Sequence, residues 1–157
     1  MPCTKKKECN DYRNWLQVYQ ALIVAGLVSP ADSFERLNTI QSSYQKTALN
    51  SFEQDVEQWL KKTFGTSLGS IESQVVIAGI ATDFVVTRGN KRLVIECDGD
   101  QYHLVGGPDG GQRLGCDIIQ DRVLERFGYT VLHILSSEFQ NAYSKLALAQ
   151  EITKLLY

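Results

Sequence analysis

The sequence predicts an α/β domain whose elements run helix, three strands, helix, strand and helix, preceded by N-terminal helices. Three observations carry this prediction. Apolar residues recur at helical spacing as far as residue 64, and the period then changes to short β-branched runs. Two of these runs are separated by Gly89-Asn90, the composition of a tight hairpin loop. A helical stretch, "CDIIQDRVLERF", then leads into the apolar run "YTVLHIL".

An N-terminal helical segment over 1–48 is predicted to precede the domain at 49–157. Its first helix lies in "DYRNWLQVYQALIVAGLV", where apolar residues recur at roughly helical spacing. A second helix starts with Ser29 as its N-cap and Pro30 at its first position, and runs to about Tyr44.

The first helix of the domain is predicted from its end signals. It begins near Asn50, carries an acid at Glu53 three residues on, and stops at Gly65. The Gly-rich stretch "GGPDGGQRLG" is predicted to be a loop, the next helix stops at Gly128, and "SSEFQNAYSKLALAQEITKLLY" is a closing helical tail. The β-branched runs place the three strands near 73–78, 80–87 and 92–98.

Composition excludes little. The chain has 157 residues, 43% of them hydrophobic, and a formal net charge of −2, as an ordinary globular domain does. The acidic excess lies entirely after residue 50, so a polyanion has to be met by a local basic patch or through metal ions. The apolar run "ALIVAGLV" is too short for a membrane span, and we expect no secretory signal.

The cysteines favour a reduced intracellular protein, cytoplasmic by default, over a disulfide scaffold or a zinc site. Their spacing contains no CxxC pair, and they are too few for a disulfide-rich domain. The four are Cys3, Cys9, Cys97 and Cys116.

The hairpin loop determines where three carboxylates lie. If Gly89-Asn90 is a two-residue loop, pairing continued along the strands places Asp83 directly opposite Glu96. Asp98, two residues beyond Glu96, points to the same face because side chains alternate along a strand. A longer or shifted loop is the alternative, and it would leave Asp83 facing solvent and Asp98 in a turn.

Opposed like charges destabilise a sheet, so something must offset the repulsion. A divalent cation, a cationic side chain or a shared proton would each do so. A hard cation such as Mg²⁺ or Mn²⁺, held by carboxylates beside a phosphate, lowers the pKa of an attacking water and stabilises charge on the phosphoryl group.

The stretches "TDFVV" and "RLVIECDGDQYH", followed by a helix and a strand, resemble the PD-(D/E)XK nuclease superfamily, which implies a restriction-endonuclease-like core. Within it, "ECDGDQYH", "RLGCDIIQDRVLERFGYTVLHI" and "SSEF" resemble the RAP domain, an RNA-associated module related to very-short-patch-repair endonucleases. The resemblance covers about residues 80–140, and nothing in residues 1–45 matches.

The resemblance implies roles for individual residues. Asp83 matches the first acid of the superfamily and Glu96 the acid of its (D/E)XK element, which makes both of them ligands of Mg²⁺ or Mn²⁺. Asp98 stands where many nucleases have a Lys, and we expect Asp98 and His103 to assist catalysis. His103 is a candidate proton carrier or a contact to a phosphate or water.

The first helix of such folds often supplies a further acid, and Glu53 or Glu57 could reach the site; a solvated helix face is the alternative for each. A nucleic-acid surface could be assembled around the acidic centre by basic residues at the hairpin tip and near the following helix, although scattered solvated charges explain them equally well. These candidates are Arg88, Lys91, Arg92, Arg113 and Arg122.

The acid cluster and the resemblance together predict a divalent-metal-dependent endonuclease or RNA-processing factor. Its partner is expected to be nucleic acid, with RNA favoured over DNA. The first alternative is an RNA-binding or interaction module that has lost cleavage, which the missing Lys favours. The second is a DNA endonuclease of the mismatch-repair or restriction type.

Overall fold

The computed structural model describes residues 16–31, 48–99, 104–105, 112–113 and 115–157, with the backbone alone for 104–105, 112–113 and 115–117. The predicted α/β class and element order are confirmed. The helices are α1 (16–24), α2 (Ser51–Phe64), α3 (Gly115–Arg126) and α4 (Ala142–Leu156). The strands are β1 (Ser70–Ile77), β2 (Ile80–Arg88), β3 (Lys91–Asp98), β4 (Leu104–Val105), β5 (Gln112–Arg113) and β6 (Thr130–Leu135).

Four strands form one mixed sheet in the order β1-β2-β3-β6. The first three are antiparallel, and β6 runs parallel to β3 after the crossover through α3. The β2–β3 pairing starts at Arg88 opposite Lys91 and continues to Phe84 opposite Ile95, so the predicted two-residue hairpin is confirmed. Gly89, with φ of 60°, takes the left-handed backbone that such a loop requires.

Helix α2 begins and ends as its sequence signals predict. The Asn50 side chain accepts a hydrogen bond from the Glu53 N–H, and the Glu53 carboxylate accepts one from the Asn50 N–H, which together form a capping box. At the other end the Gly65 N–H donates to the Lys61 carbonyl. This cap fixes the start of the helix, and with it the position of Glu53.

The sheet carries a hydrophobic core on each face. One face packs against α2 and α4, and there Leu93 and Ile95 of β3 lie in the same cluster as Leu60. The other face packs against α1 and α3, where Val94 of β3 lies in the same cluster as Ile23. Strand β3 therefore supplies alternate residues to two cores, as a central strand covered on both faces does.

Three details differ from the sequence-based expectation. The first strand begins at Ser70, three residues earlier than predicted. Part of the Gly-rich stretch is not loop, because Gln112–Arg113 pairs with Leu104–Val105 as a short antiparallel ladder. The closing tail is not one helix: a 3₁₀ turn at Glu138–Gln140 precedes α4, because the Asn141 side chain accepts from the Ser144 N–H (2.8 Å) and starts a new helix there.

The N-terminal predictions are only partly covered by the described residues. Residues 16–24 are helical as expected, and Ser29 Oγ accepts a hydrogen bond from the Ala31 N–H (3.3 Å) at the predicted start of the second helix. The rest of that helix, together with Cys3 and Cys9, lies outside the described residues. Across the described ranges, no helix combines the length and the apolar composition that crossing a bilayer would require.

Candidate active site

A cavity of about 580 Å³ lies where β2 begins and β3 and β6 end. Side chains from these strands line it, and residues of α3 and the start of α2 complete its wall. The predicted acids Asp83, Glu96 and Asp98 all line this one cavity, so the sequence-based cluster of three carboxylates is confirmed as a geometric fact. The alternative of a shifted loop, with Asp83 turned away, is wrong.

Asp83 and Glu96 are the next positions after the last ladder pair, Phe84 opposite Ile95. Asp83 Oδ2 accepts a hydrogen bond from the Cys97 backbone N–H (2.8 Å), so this carboxylate reaches across to the neighbouring strand. Both acids thus sit at the point where β2 and β3 separate, which opens space for a ligand between them.

The surroundings of Glu96 disfavour its charge. Burial raises the pKa of the Glu96 carboxyl, and the nearby charge of Asp83 raises it further, to about 8 in total, despite the opposing effect of His133. Two neighbouring carboxyls in a desolvated site cannot both ionise without cost, and a nearby positive charge reduces that cost. The acid pair is therefore poised to gain from a cation.

Cys97 lies between the two β3 acids but belongs to the opposite face. It packs against the core of α2 and α4, as the alternation of strand side chains predicts. Burial first, and the charge of Asp83 second, raise the pKa of its thiol well above the ordinary range. Cys97 is only half-buried and is among the residues that line the cavity, but a thiol held in its neutral form is a packing residue and not a nucleophile.

Asp98 has a cationic neighbour that sequence reasoning missed. His133 Nδ1 lies 2.7 Å from Asp98 Oδ2, and His133 Nε2 lies 3.1 Å from Asp121 Oδ1. Burial lowers the pKa of His133, but the hydrogen bonds to Asp121 and Asp98 outweigh it and raise the pKa to about 9. With a carboxylate at each nitrogen, the ring is an imidazolium that donates both ways.

The signal for His133 was present in the alternation of β6. Leu132 and Ile134 lie in the core of α2 and α4, so His133 must point to the acid face. Its partner in the parallel ladder is Glu96, which fixes the height of the ring at the cavity. Asp121 stands three residues before the buried Leu124 and so shares its helix face.

The two candidate acids of α2 have different positions. Glu53 lines the cavity while its carboxylate caps the helix, and Gln74 Nε2 donates to it at 3.5 Å. Glu57 instead pairs with Lys61 one turn on, at 2.9 Å, and does not line the cavity. Glu53 is therefore the acid of α2 that the fold brings to the site.

Gln74 occupies an unusual position opposite Asp83. Ser73 pairs with Phe84 and Val75 with Thr82, but Gln74 between them makes no ladder pair. Its φ is 54°, the left-handed region that side chains with a Cβ rarely adopt. Such backbone strain tends to occur beside functional sites.

The predicted basic residues are mostly not near the acids. Arg88, Lys91 and Arg92 lie at the hairpin tip, five residues of strand from Asp83, or roughly 17 Å. Arg88 donates to the carbonyls of Ser67 (3.1 Å) and Leu156 (3.2 Å), and its guanidinium lies 3.3 Å from the centroid of the Tyr157 ring.

The remaining members of that predicted surface are scattered. Arg92 donates to the Phe127 carbonyl (3.0 Å) and covers the ring of Tyr129. Arg122 is exposed on α3, beside Arg126. His103 and the side chain of Arg113 lie outside the described residues. The described structure thus brings the acids together, but not the basic residues.

The acid pair fits a hard divalent cation in the chemistry of its donors. Within the described residues, no three side chains of His, Cys, Asp or Glu are arranged as a complete metal site. Mg²⁺ does not need such a cage, because it is usually held by one or two carboxylates together with substrate phosphates and water. Asp83 and Glu96 both offer carboxylate oxygens to the cavity, which are the donors that such a cation prefers.

Comparison with known proteins identifies the family. No curated protein matches the chain. The family model REase_MTES_1575, a restriction-endonuclease-like domain, matches residues 52–153, well over half of the chain. This match supports the PD-(D/E)XK nuclease superfamily, whose members usually use divalent metals, and it indicates a nuclease-type function with nucleic-acid binding. Strands β2, β3 and β6, which carry Asp83, Glu96 and His133, all lie within the match, and the chain belongs to the REase_MTES_1575 family of restriction-endonuclease-like domains.

Proposed function

We propose that this protein hydrolyses phosphodiester bonds in nucleic acid with the help of Mg²⁺ or Mn²⁺ held by Asp83 and Glu96. The observation that carries the proposal is the placement of both acids in one cavity at the diverging ends of β2 and β3. A purely structural sheet has no reason to keep two carboxylates in such a position, because their repulsion and desolvation reduce its stability.

The bound cation would neutralise the acids, polarise a phosphoryl oxygen and lower the pKa of an attacking water. The chain's own residues supply the geometry. The Cys97 N–H holds Asp83 through Oδ2, and strand pairing fixes Glu96 beside it. Glu53 adds a third carboxylate at the cavity wall, held in place by the helix cap.

Asp98 and His133 account for the missing Lys of the superfamily pattern. Asp98 is buried, with 5% of its surface exposed, and its charge is met by the imidazolium of His133. Positive charge therefore enters the cavity from β6 instead of from β3. Because both ring nitrogens are hydrogen-bonded to carboxylates, His133 acts as a positioning and electrostatic group and not as the base.

RNA is the substrate that the resemblance to RAP domains favours. DNA is the second candidate, supported by the match to a restriction-endonuclease-like family. An RNA-binding module without cleavage is the third, and the departure at Asp98 supports it. The chain's net charge of −2 means that any of these substrates must be met by the cation and by local basic residues.

The experiment compares wild type with Glu96→Gln and with a matched control, Glu151→Gln, an exposed acid on α4. Each protein is incubated with labelled single-stranded RNA, duplex RNA, single-stranded DNA and duplex DNA, in Mg²⁺, in Mn²⁺ and in chelator. We expect cleavage by wild type and by the control in metal, and at least a roughly hundredfold loss in Glu96→Gln.

The four substrates separate the alternatives. Cleavage of DNA alone would assign the protein to the restriction or repair type, and metal-dependent binding of RNA without cleavage would assign it to the inactive module. Cleavage that persists in chelator and in Glu96→Gln would exclude the proposed mechanism altogether.

A further inference from the structure

A second groove, which we call the lysine groove, adjoins the acidic cavity. It has a volume of about 680 Å³ and lies between one face of α2 and the segment that joins β6 to α4. Phe52 and Ser136 line both the groove and the acidic cavity, so the two adjoin at these residues. The residues that line it on the α2 side are Ser51, Phe52, Asp55, Gln58, Trp59 and Lys62.

The charge of the groove is opposite to that of the cavity. Lys62 from α2 and Lys145 from α4 face it, against one acid, Asp55. Neither lysine forms an ion pair with any of the described residues, whereas the neighbouring Lys61 is paired with Glu57. A net positive groove in a chain with a net charge of −2 is a local feature that suits a polyanion.

Aromatic rings form the floor of the groove. Trp59 and Phe139 meet edge to face at 5.4 Å, and Phe52 packs on Phe139 at 5.7 Å. Lys145 Nζ lies 4.1 Å from the centroid of the Phe139 ring, which holds the ammonium at the floor. The side chains of Trp59 and Phe52 are only half-buried, so apolar surface remains accessible beside the lysines.

This combination fits one class of ligand. Phosphates pair with lysines, unpaired bases pack on aromatic side chains, and amides such as those of Gln58 and Gln140 can hydrogen-bond base edges. A duplex keeps its bases stacked on each other and has no use for an aromatic floor. An acidic peptide would use the lysines but not the rings and amides together.

We propose that the lysine groove binds a single strand of nucleic acid on one side of the scissile phosphate, with its backbone on Lys62 and Lys145. The proposal rests on the proposed nuclease function, because the strand that enters the groove is the one whose phosphate reaches Asp83 and Glu96. The acidic cavity performs the chemistry, and the groove selects an unpaired strand.

The test compares three proteins: wild type, Lys62→Ala with Lys145→Ala, and a control of equal charge change, Lys61→Ala with Lys154→Ala. Binding to fluorescent single-stranded RNA and DNA, to the corresponding duplexes and to polyglutamate is measured in chelator at several salt concentrations. Thermal unfolding verifies that all three are folded. Hydrolysis of bis(4-nitrophenyl) phosphate, a diester too small to reach the groove, is measured in Mn²⁺.

We expect the groove variant to bind single strands roughly tenfold more weakly than wild type at low salt. The slope of log affinity against log salt should fall by about 1.4, which is the loss of two phosphate contacts on a single strand. The control should keep the wild-type slope, and all three proteins should hydrolyse the small diester equally. In wild type, bound oligonucleotide should protect Lys62 and Lys145, but not Lys154, from acetylation.

The outcomes separate this proposal from the one on which it rests. If wild type neither binds nor cleaves nucleic acid, both fall. If wild type cleaves but the groove variant and the control have the same affinity and slope, the lysine groove proposal alone is overturned. Equal affinity for duplex, or competition by polyglutamate at equal charge, would also overturn it, because the groove would then be a general anion surface.

Discussion

Asp98 and His133 lie on neighbouring parallel strands with Oδ2 and Nδ1 only 2.7 Å apart, and Asp98 is almost fully buried. An aspartate this far from water needs a positive partner, and His133 is the one that the described structure provides. The pair therefore explains how β3 can hold a buried acid at this position without unfolding the sheet.

Removing the cation of this pair should be costly. We expect His133→Leu to lower the free energy of unfolding by about 2–4 kcal/mol, because the buried Asp98 and the half-buried Asp121 both lose their hydrogen bond to the imidazolium. Adding Asp98→Asn to His133→Leu should restore part of that loss, since the amide carries no charge. Urea unfolding of His133→Leu, Asp98→Asn and the double variant measures these losses of stability. If the losses of the two single variants simply add in the double variant, Asp98 and His133 are not coupled.

Stability of the metal-free protein should fall as pH rises, for two separate reasons. The pKa of Glu96 is raised from 4.5 to about 8, so between these values the folded state holds a proton that the unfolded chain has released, and stability falls. The pKa of His133 is raised from 6.5 to about 9, so its stabilisation is complete below 6.5 and is lost as pH passes 9.

The two contributions can be separated with variants. Glu96→Gln should flatten the decline between pH 4.5 and about 8, and should make the metal-free protein more stable at neutral pH by about 1–3 kcal/mol. Thermal unfolding across this range measures the effect, with Glu151→Gln as the control. A Glu96→Gln protein with the wild-type pH profile would show that Glu96 is not the titrating group.

The left-handed backbone at Gln74 should be strained, and two substitutions can measure that strain separately from the loss of the side chain. Gln74→Ala and Gln74→Gly both remove the amide that donates to Glu53, but only Gly adopts a φ of 54° without penalty. We expect the Gly variant to be more stable than the Ala variant by about 1 kcal/mol. In an ordinary strand position the Ala variant would be the more stable of the two. A more stable Gly variant would therefore show that the backbone is strained at residue 74, and a more stable Ala variant would show that it is not.

Arg88 should prove to be a structural residue. A 3₁₀ turn, Gly65–Leu68, follows α2, and the Arg88 guanidinium joins it to the end of α4 through Ser67, Leu156 and Tyr157. We expect Arg88→Gln to reduce stability by about 1–2 kcal/mol and to leave nucleic-acid affinity unchanged. Chemical unfolding and oligonucleotide binding are measured together, with Lys91→Ala at the exposed hairpin tip as the comparison. If Arg88→Gln lowers the affinity for nucleic acid and leaves the stability unchanged, Arg88 belongs to the nucleic-acid surface that the sequence predicted.

The positions of Asp83 and Glu96 could be predicted from the sequence because they depend on a turn and two strands that are close together in the chain. The Gly89-Asn90 turn fixes the register of β2 on β3, and register alone makes Asp83 and Glu96 neighbours. His133 and Asp121 depend instead on which strand pairs with β3 and on how α3 docks, which no local pattern states. The break at Asn141 was missed for a related reason: one capping side chain outweighed a continuous helical pattern.

The tight turn at Gly89-Asn90 also constrains how this chain can change its length. Loss of one residue there would slide β3 by one position against β2. Glu96 and Asp98 would then face the side that α2 and α4 fill with apolar residues, away from Asp83. The same slip would carry Leu93 and Ile95 out of that core. The packing of the core and the position of the acids thus both depend on the length of one two-residue loop, so that length should be as resistant to change during evolution as the acids themselves.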